Sequence, residues 1–141
     1  MYMWIPNWFS PGFFNYFEEK YGALIVWMVY LPIITRQLIR RDLRDPLRAV
    51  ASRYVHYTEF ASPPMWPEMA KWEAKRFKIN GLIYAVAESC KLLCGPLRLT
   101  VKAFEDIGVP TLEIRNDMVD VRDWDDAKMK AQVSAFIETL M

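Results

Sequence analysis

The stretch INGLIYAVAESCKLLCGPLRLTVKAFEDIGVPTLEIRNDMVDVRD, residues 79–123, contains one complete strand–helix–strand unit and both cysteines of the chain. Leu82–Val86 is a short apolar run that follows an Asn-Gly turn, which is typical of a buried strand. Gly95-Pro96 then begins a helix with proline at its first position, and Gly108 ends that helix. Thr111–Ile114 forms the second strand. Because a helical crossover joins the two strands, the unit predicts a parallel α/β sheet.

The remainder of the chain adds two strands and several helices to this unit. A short run of large residues, Tyr2–Ile5, predicts the first strand, and the apolar run Leu24–Tyr30 predicts a central strand covered on both faces. Helices are predicted over Pro11–Tyr21, after Asp45-Pro46, over Pro67–Phe77 and, capped by Asp123 or Asp125, at the end of the chain. We therefore expect one α/β domain over residues 1–141, with a four-stranded parallel sheet, helices on both faces and a flavodoxin-like arrangement in which Leu24–Tyr30 is interior.

Composition and charge exclude several function classes. A length of 141 residues suits one domain with its own core, and a formal net charge of +1 gives no electrostatic basis for binding nucleic acid. The longest uncharged apolar run, Ala23–Ile34, contains Pro32 and is too short to cross a membrane. The amino terminus does not resemble a signal peptide, so we expect a cytoplasmic protein.

Known catalytic and binding motifs are absent from the sequence. The five glycines are dispersed, which excludes a P-loop and a G-x-G-x-x-G loop. The only histidine, His56, lies in the last turn of the predicted helix after Asp45-Pro46, far in sequence from both cysteines, so it is more typical of a packing residue than of a catalyst. Two cysteines and one histidine cannot fill the shell of a zinc ion or an iron–sulfur cluster. A metal site would therefore need ligands from elsewhere.

The carboxyl ends of the four predicted strands indicate where a site would lie. In open α/β sheets this edge binds ligands. Cys90 leaves a strand close to a helix amino terminus, where reactive or metal-bound sulfur is common, although Cys90 and Cys94 could equally be small buried side chains. Asp117 and Asp120 could serve the site or only form hydrogen bonds in the turn. The substrate-facing residues that we expect at this edge are Asn7, Trp8, Tyr30, Glu88 and Ser89.

Four stretches carry a resemblance to a known family: FFNYFEEKYGALIVWMVYLP, DPLRAVASRYV, INGLIYAVAESCKLLCGP and GVPTLEIRNDMVDVRDW. Their order and spacing resemble the carboxyl-terminal half of subunits of the 2-hydroxyacyl-CoA dehydratases and benzoyl-CoA reductases. The resemblance implies an oxygen-sensitive enzyme of two related subunits. Such an enzyme receives one electron from an ATP-hydrolysing iron–sulfur activator and eliminates water from a 2-hydroxyacyl-CoA through a ketyl radical.

The resemblance also implies a cofactor and partners. Subunits of the family hold a [4Fe-4S] cluster through three cysteines, and Cys90 matches one of them, whereas Cys94 stands where relatives carry other residues. The other two cysteines belong to the amino-terminal half of a subunit, so a missing half or a paralogous subunit would supply the remaining ligands. The resemblance therefore implies a split or truncated subunit that binds an acyl-CoA only within a complex and is not active alone.

Other functions remain open on the sequence alone. A benzoyl-CoA reductase-type subunit is one alternative, and a non-catalytic interaction domain is another, favoured by aromatic residues near the amino end such as Trp4, Trp8 and Phe9. A thiol redox module is the weakest, because the spacing C-x-x-x-C of Cys90 and Cys94 is not the C-x-x-C of thioredoxin-like proteins. The apolar composition further predicts that the isolated chain associates.

Overall fold

A computed structural model describes residues 2–3, 10–28, 44–55, 65–117 and 119–141. This part of the chain contains three strands and six helices. The strands are β1 (Tyr2–Met3), β2 (Leu82–Ala87) and β3 (Thr111–Asn116). The helices are α1 (Gly12–Tyr21), α2 (Pro46–Val55), α3 (Met65–Arg76), α4 (Lys91–Cys94), α5 (Leu97–Glu105) and α6 (Asp126–Glu138), and a 3-10 turn spans Val121–Asp123. No helix within these ranges is long and apolar enough to cross a membrane.

The sheet is parallel, with the strand order β1-β2-β3. The two long strands pair along their full length, from Leu82 opposite Thr111 to Ala87 opposite Asn116. Every residue of β2 is buried, as expected for a strand with neighbours on both sides and helices on both faces. The predicted parallel strand–helix–strand unit is therefore confirmed, and it forms an open α/β sheet.

The prediction of four strands with Leu24–Tyr30 in the interior is wrong. The described part of that segment forms no strand, and Met28 makes only an isolated parallel bridge to Tyr2. Tyr2 pairs with Ile83 on its other side, so the segment lies outside β1 rather than inside the sheet. Leu24 is 58% exposed and Val26 is 41% exposed. Solvent therefore covers one face of a segment for which burial on both faces was predicted.

Helices cover both faces of the sheet, as predicted. Side chains of a strand alternate between the two faces. Leu82, Tyr84 and Val86 pack with α3 and α5 in one buried cluster, which also contains Trp66 and Phe104. Ile83 and Ala85 face the opposite way, into a second cluster that α1 and α6 complete. The central strand is thus fixed from both sides, and its carboxyl end is held as part of two cores.

Local end signals explain the helix boundaries. Gly22 ends α1 in the left-handed conformation, with φ 66°, and Gly108 follows α5 with φ 71°. The Asp125 side chain accepts a hydrogen bond from the Lys128 N–H at 3.0 Å and so caps α6. One helix was not predicted. It is α4, a single helical turn that follows Cys90. The next helix, predicted to begin at Pro96, begins one residue later, at Leu97.

Candidate functional site

The turn that follows β2 carries Glu88, Ser89 and Cys90. The carbonyl oxygen of Ala87, the last residue of the strand, accepts a hydrogen bond from the Cys90 N–H at 2.9 Å. The same oxygen accepts from the Cys94 thiol, with Sγ at 3.2 Å. Cys90 stands at the amino end of α4 with an extended backbone. Two donors from the α4 segment therefore hold this turn against the end of the central strand.

The turn that follows β3 is linked to the same place through Asp117. The Asp117 carboxylate accepts hydrogen bonds from the N–H groups of Val119 at 2.7 Å and Asp120 at 3.0 Å. A hydrogen bond from the Ser89 side chain, together with these two N–H groups, lowers the pKa of Asp117 from 3.8 to about 2. Because Ser89 follows β2 and Asp117 follows β3, this carboxylate joins the ends of the two strands.

The segment between β3 and α6 is ordered by further carboxylates. The Asp117 N–H donates to Oδ2 of Asp123 at 2.6 Å. Asp120 accepts from the Arg122 N–H at 3.0 Å and caps the 3-10 turn. The Arg122 guanidinium also donates to Asp120 and lowers the pKa of its carboxyl group. These contacts support the turn-forming role that the sequence left open for Asp117 and Asp120.

One ion pair crosses the two strand ends. Arg115 Nη1 lies 2.8 Å from Glu88 Oε1, and this contact raises the pKa of Arg115. Both side chains are more than half exposed, so water screens the pair and its contribution to stability is small. Its effect is mainly geometric, because it holds the Glu88 carboxylate over the end of β3.

Both cysteines are free thiols and are partly buried. Within the described ranges, no three His, Cys, Asp or Glu side chains lie close enough together to hold a metal ion. The described part of the chain can therefore offer an individual thiolate at this edge, and the other ligands of a metal site would have to come from outside it.

The structure brings together Glu88, Ser89 and Cys90 at the predicted edge. Asn116 and Asp117 lie at the same edge, because Ala87 and Asn116 are opposite each other at the strand ends. The other expected substrate-facing residues, Asn7, Trp8 and Tyr30, lie outside the described residues, as does His56. Their positions remain predictions.

Comparison with known proteins identifies the family. The family model described as 2-hydroxyglutaryl-CoA dehydratase, D-component, matches residues 1–140. The chain belongs to this family. The match includes the sheet, both cysteines and the whole strand-end edge, and it confirms the resemblance to 2-hydroxyacyl-CoA dehydratases seen in the sequence. No match was found among the curated proteins.

Proposed function

We propose that the chain is part of a 2-hydroxyacyl-CoA dehydratase, in which Cys90 is one thiolate ligand of a [4Fe-4S] cluster and another polypeptide supplies the remaining ligands. The observation that carries this proposal is the position of Cys90. It lies three residues beyond the central strand, on a turn that hydrogen bonds hold to the strand end. A cluster ligand needs such a rigid support, because metal–ligand distances vary by only a few tenths of an ångström.

The side chains at this edge fit a cluster whose ligands come from two polypeptides better than a cluster held by this chain alone. Cysteine thiolates are the usual ligands of [4Fe-4S] clusters, and Cys90 is a free and partly exposed cysteine. The second cysteine, Cys94, directs its thiol to the Ala87 carbonyl, so its sulfur is engaged with the chain itself. One ligand from this edge therefore agrees with the need for others from a partner.

The residues beside Cys90 would orient the substrate. Such a cluster, when bound, supplies one-electron chemistry to the acyl-CoA. Glu88 and Ser89 are exposed on the same turn, and their contacts with Arg115 and Asp117 fix their direction. In this proposal they face the acyl-CoA together with Asn7, Trp8 and Tyr30.

The proposal includes an assembly. The chain would act as the flavodoxin-like half of a larger subunit, completed by an amino-terminal half or a paralogous subunit. An ATP-dependent iron–sulfur protein would deliver the electron. We place the chain with the dehydratases rather than the benzoyl-CoA reductases, because the matching family model describes a dehydratase component.

Anaerobic reconstitution with iron and sulfide tests this function. The chain is reconstituted alone and together with a candidate polypeptide that carries the amino-terminal half, and cluster absorbance and iron content are measured. We expect a cluster only in the complex, and dehydration of a 2-hydroxyacyl-CoA after reduction by the activator. A stable complex that binds no cluster would instead favour a non-catalytic interaction domain.

A further inference from the structure

The side chain of Tyr16, on helix α1, is half-buried where α1 and α6 cover one face of the sheet. Its ring packs against the buried cluster that these two helices complete. The ring also meets Phe17 edge to face, with the two centroids 5.1 Å apart. The hydrogen bond that the Tyr16 oxygen accepts lies at the surface. The ring is therefore held in place, while the phenol oxygen stays within reach of small molecules in solution.

Two ammonium groups flank this phenol. Lys20, one turn further along α1, donates a hydrogen bond from Nζ to the Tyr16 oxygen at 3.1 Å. Lys130 belongs to α6, and its Nζ lies 4.9 Å from the centroid of the Tyr16 ring. Positive charge therefore approaches one side chain from two different helices. Cations at such distances favour the ionised form of an acidic group.

Neighbouring groups keep both lysines charged. Asp126 Oδ2 lies 2.7 Å from Lys130 Nζ, one turn earlier on α6. Hydrogen bonds to Tyr21 and Tyr16 raise the pKa of Lys20, so its ammonium keeps its proton and is not a nucleophile. The hydrogen bond from Lys20 in turn lowers the pKa of Tyr16 from its ordinary value of 10.0, against the opposite effect of burial, and the charge of Lys130 acts in the same direction as Lys20.

Tyr21 provides a comparison on the same helix. Lys20 Nζ also lies over the Tyr21 ring, 4.8 Å from its centroid. The Tyr21 hydroxyl, however, donates to Glu138 Oε1 at 3.0 Å. Attack by the Tyr21 oxygen would place a phenolate beside a carboxylate, whereas the Tyr16 oxygen faces an ammonium. We propose that Tyr16 is a nucleophilic tyrosine and a site of O-acylation by activated acyl donors.

The reaction is one acyl transfer. The phenolate oxygen of Tyr16 attacks the carbonyl carbon of the donor, and an O–C bond forms. The bond between that carbon and the leaving group breaks, and the leaving group departs with the electron pair and takes up a proton from water. The product is an aryl ester. The Lys20 ammonium stabilises the phenolate before the attack and takes no part in the bond changes.

Acetylation of the full chain with N-acetylimidazole at neutral pH, followed by peptide mass spectrometry, tests this inference. The rate at Tyr16 should exceed the rate at Tyr21 about fivefold, because the larger phenolate fraction outweighs its lower intrinsic reactivity. Lys20 should stay unmodified while Tyr16 reacts. Lys20→Gln should lower the Tyr16 rate about fivefold, and Lys20→Arg should preserve most of it. Lys102→Gln removes the same charge from an exposed position on α5, across the sheet, and is the matched control that should leave the rate unchanged.

Several results would overturn the inference. Equal rates at Tyr16 and Tyr21 would do so, as would acetylation of Lys20 ahead of Tyr16. A Tyr16 rate that is unchanged in Lys20→Gln, or lowered equally in Lys102→Gln, would show that the neighbouring ammonium does not activate the phenol. The two tyrosines are compared in the wild-type chain, so the test decides even if a variant does not fold. No step involves iron or a thiol, so the outcome is independent of the role proposed for Cys90.

Discussion

Replacement of Phe104 by alanine tests whether the crossover helix α5 fixes the central strand. Phe104 is 0% exposed and belongs to the buried cluster that contains Leu82 and Tyr84 of β2. Removal of a buried phenyl ring costs about 3–5 kcal/mol, because apolar contacts are lost and a cavity remains. Domains of this kind are stable by about 5–15 kcal/mol, so Phe104→Ala should remain folded with a large part of its stability lost.

The matched control for this change lies on the same helix. Leu99 is 47% exposed, so Leu99→Ala removes side-chain atoms that remain largely in water and should cost less than about 1 kcal/mol. Urea denaturation followed by far-UV circular dichroism gives both free energies of unfolding. Similar costs for the two variants, or a cost below about 1 kcal/mol for Phe104→Ala, would refute the packing of α5 against the central strand.

Three further predictions follow from the site and the surface. The pKa of Asp117 is lowered to about 2 in the folded state, so the ionised carboxylate should stabilise the fold fully above about pH 4 and lose this effect as the pH falls toward 2. In Asp117→Asn, the free energy of unfolding should depend less on pH over this range. Asp125→Ala removes the cap of α6 and should cost about 1 kcal/mol in urea denaturation, whereas Asp123→Ala should not affect that cap. Leu47 and Val119 are 82% and 79% exposed, so light scattering should show association of the isolated chain, and a sharp monomer at high concentration would contradict this.

Features that depend on local backbone chemistry could be predicted from the sequence. A left-handed glycine after a helix and an aspartate before one act within a few residues. Gly22 and Gly108 were therefore assigned correctly, and of the two aspartates predicted as alternatives for the last helix, Asp125 is the cap. The short helix α4 was missed, because four residues are too few to show a helical period. The apolar run from Leu24 was misplaced, because hydrophobicity alone does not determine whether a segment lies inside a sheet or at its edge.

For the candidate site, too, the sequence predicted the location but not the contacts between side chains. Its location followed from the rule that ligands bind at the carboxyl ends of parallel strands. The contacts of Glu88 with Arg115 and of Ser89 with Asp117 could not be predicted, because they depend on the register of β2 against β3. In that register Val86 lies opposite Arg115, and a shift by one residue would turn Arg115 to the other face of the sheet.

The most direct test of the central claim compares two serine variants in the assembled complex. Cys90→Ser and Cys94→Ser are reconstituted anaerobically in parallel, and the iron content and cluster absorbance of each complex are measured. We expect Cys90→Ser to abolish cluster binding and Cys94→Ser to preserve most of it, because a serine hydroxyl can still donate to the Ala87 carbonyl. The opposite ranking would place the site on the other sulfur, and equal losses would indicate that both thiols bind the metal.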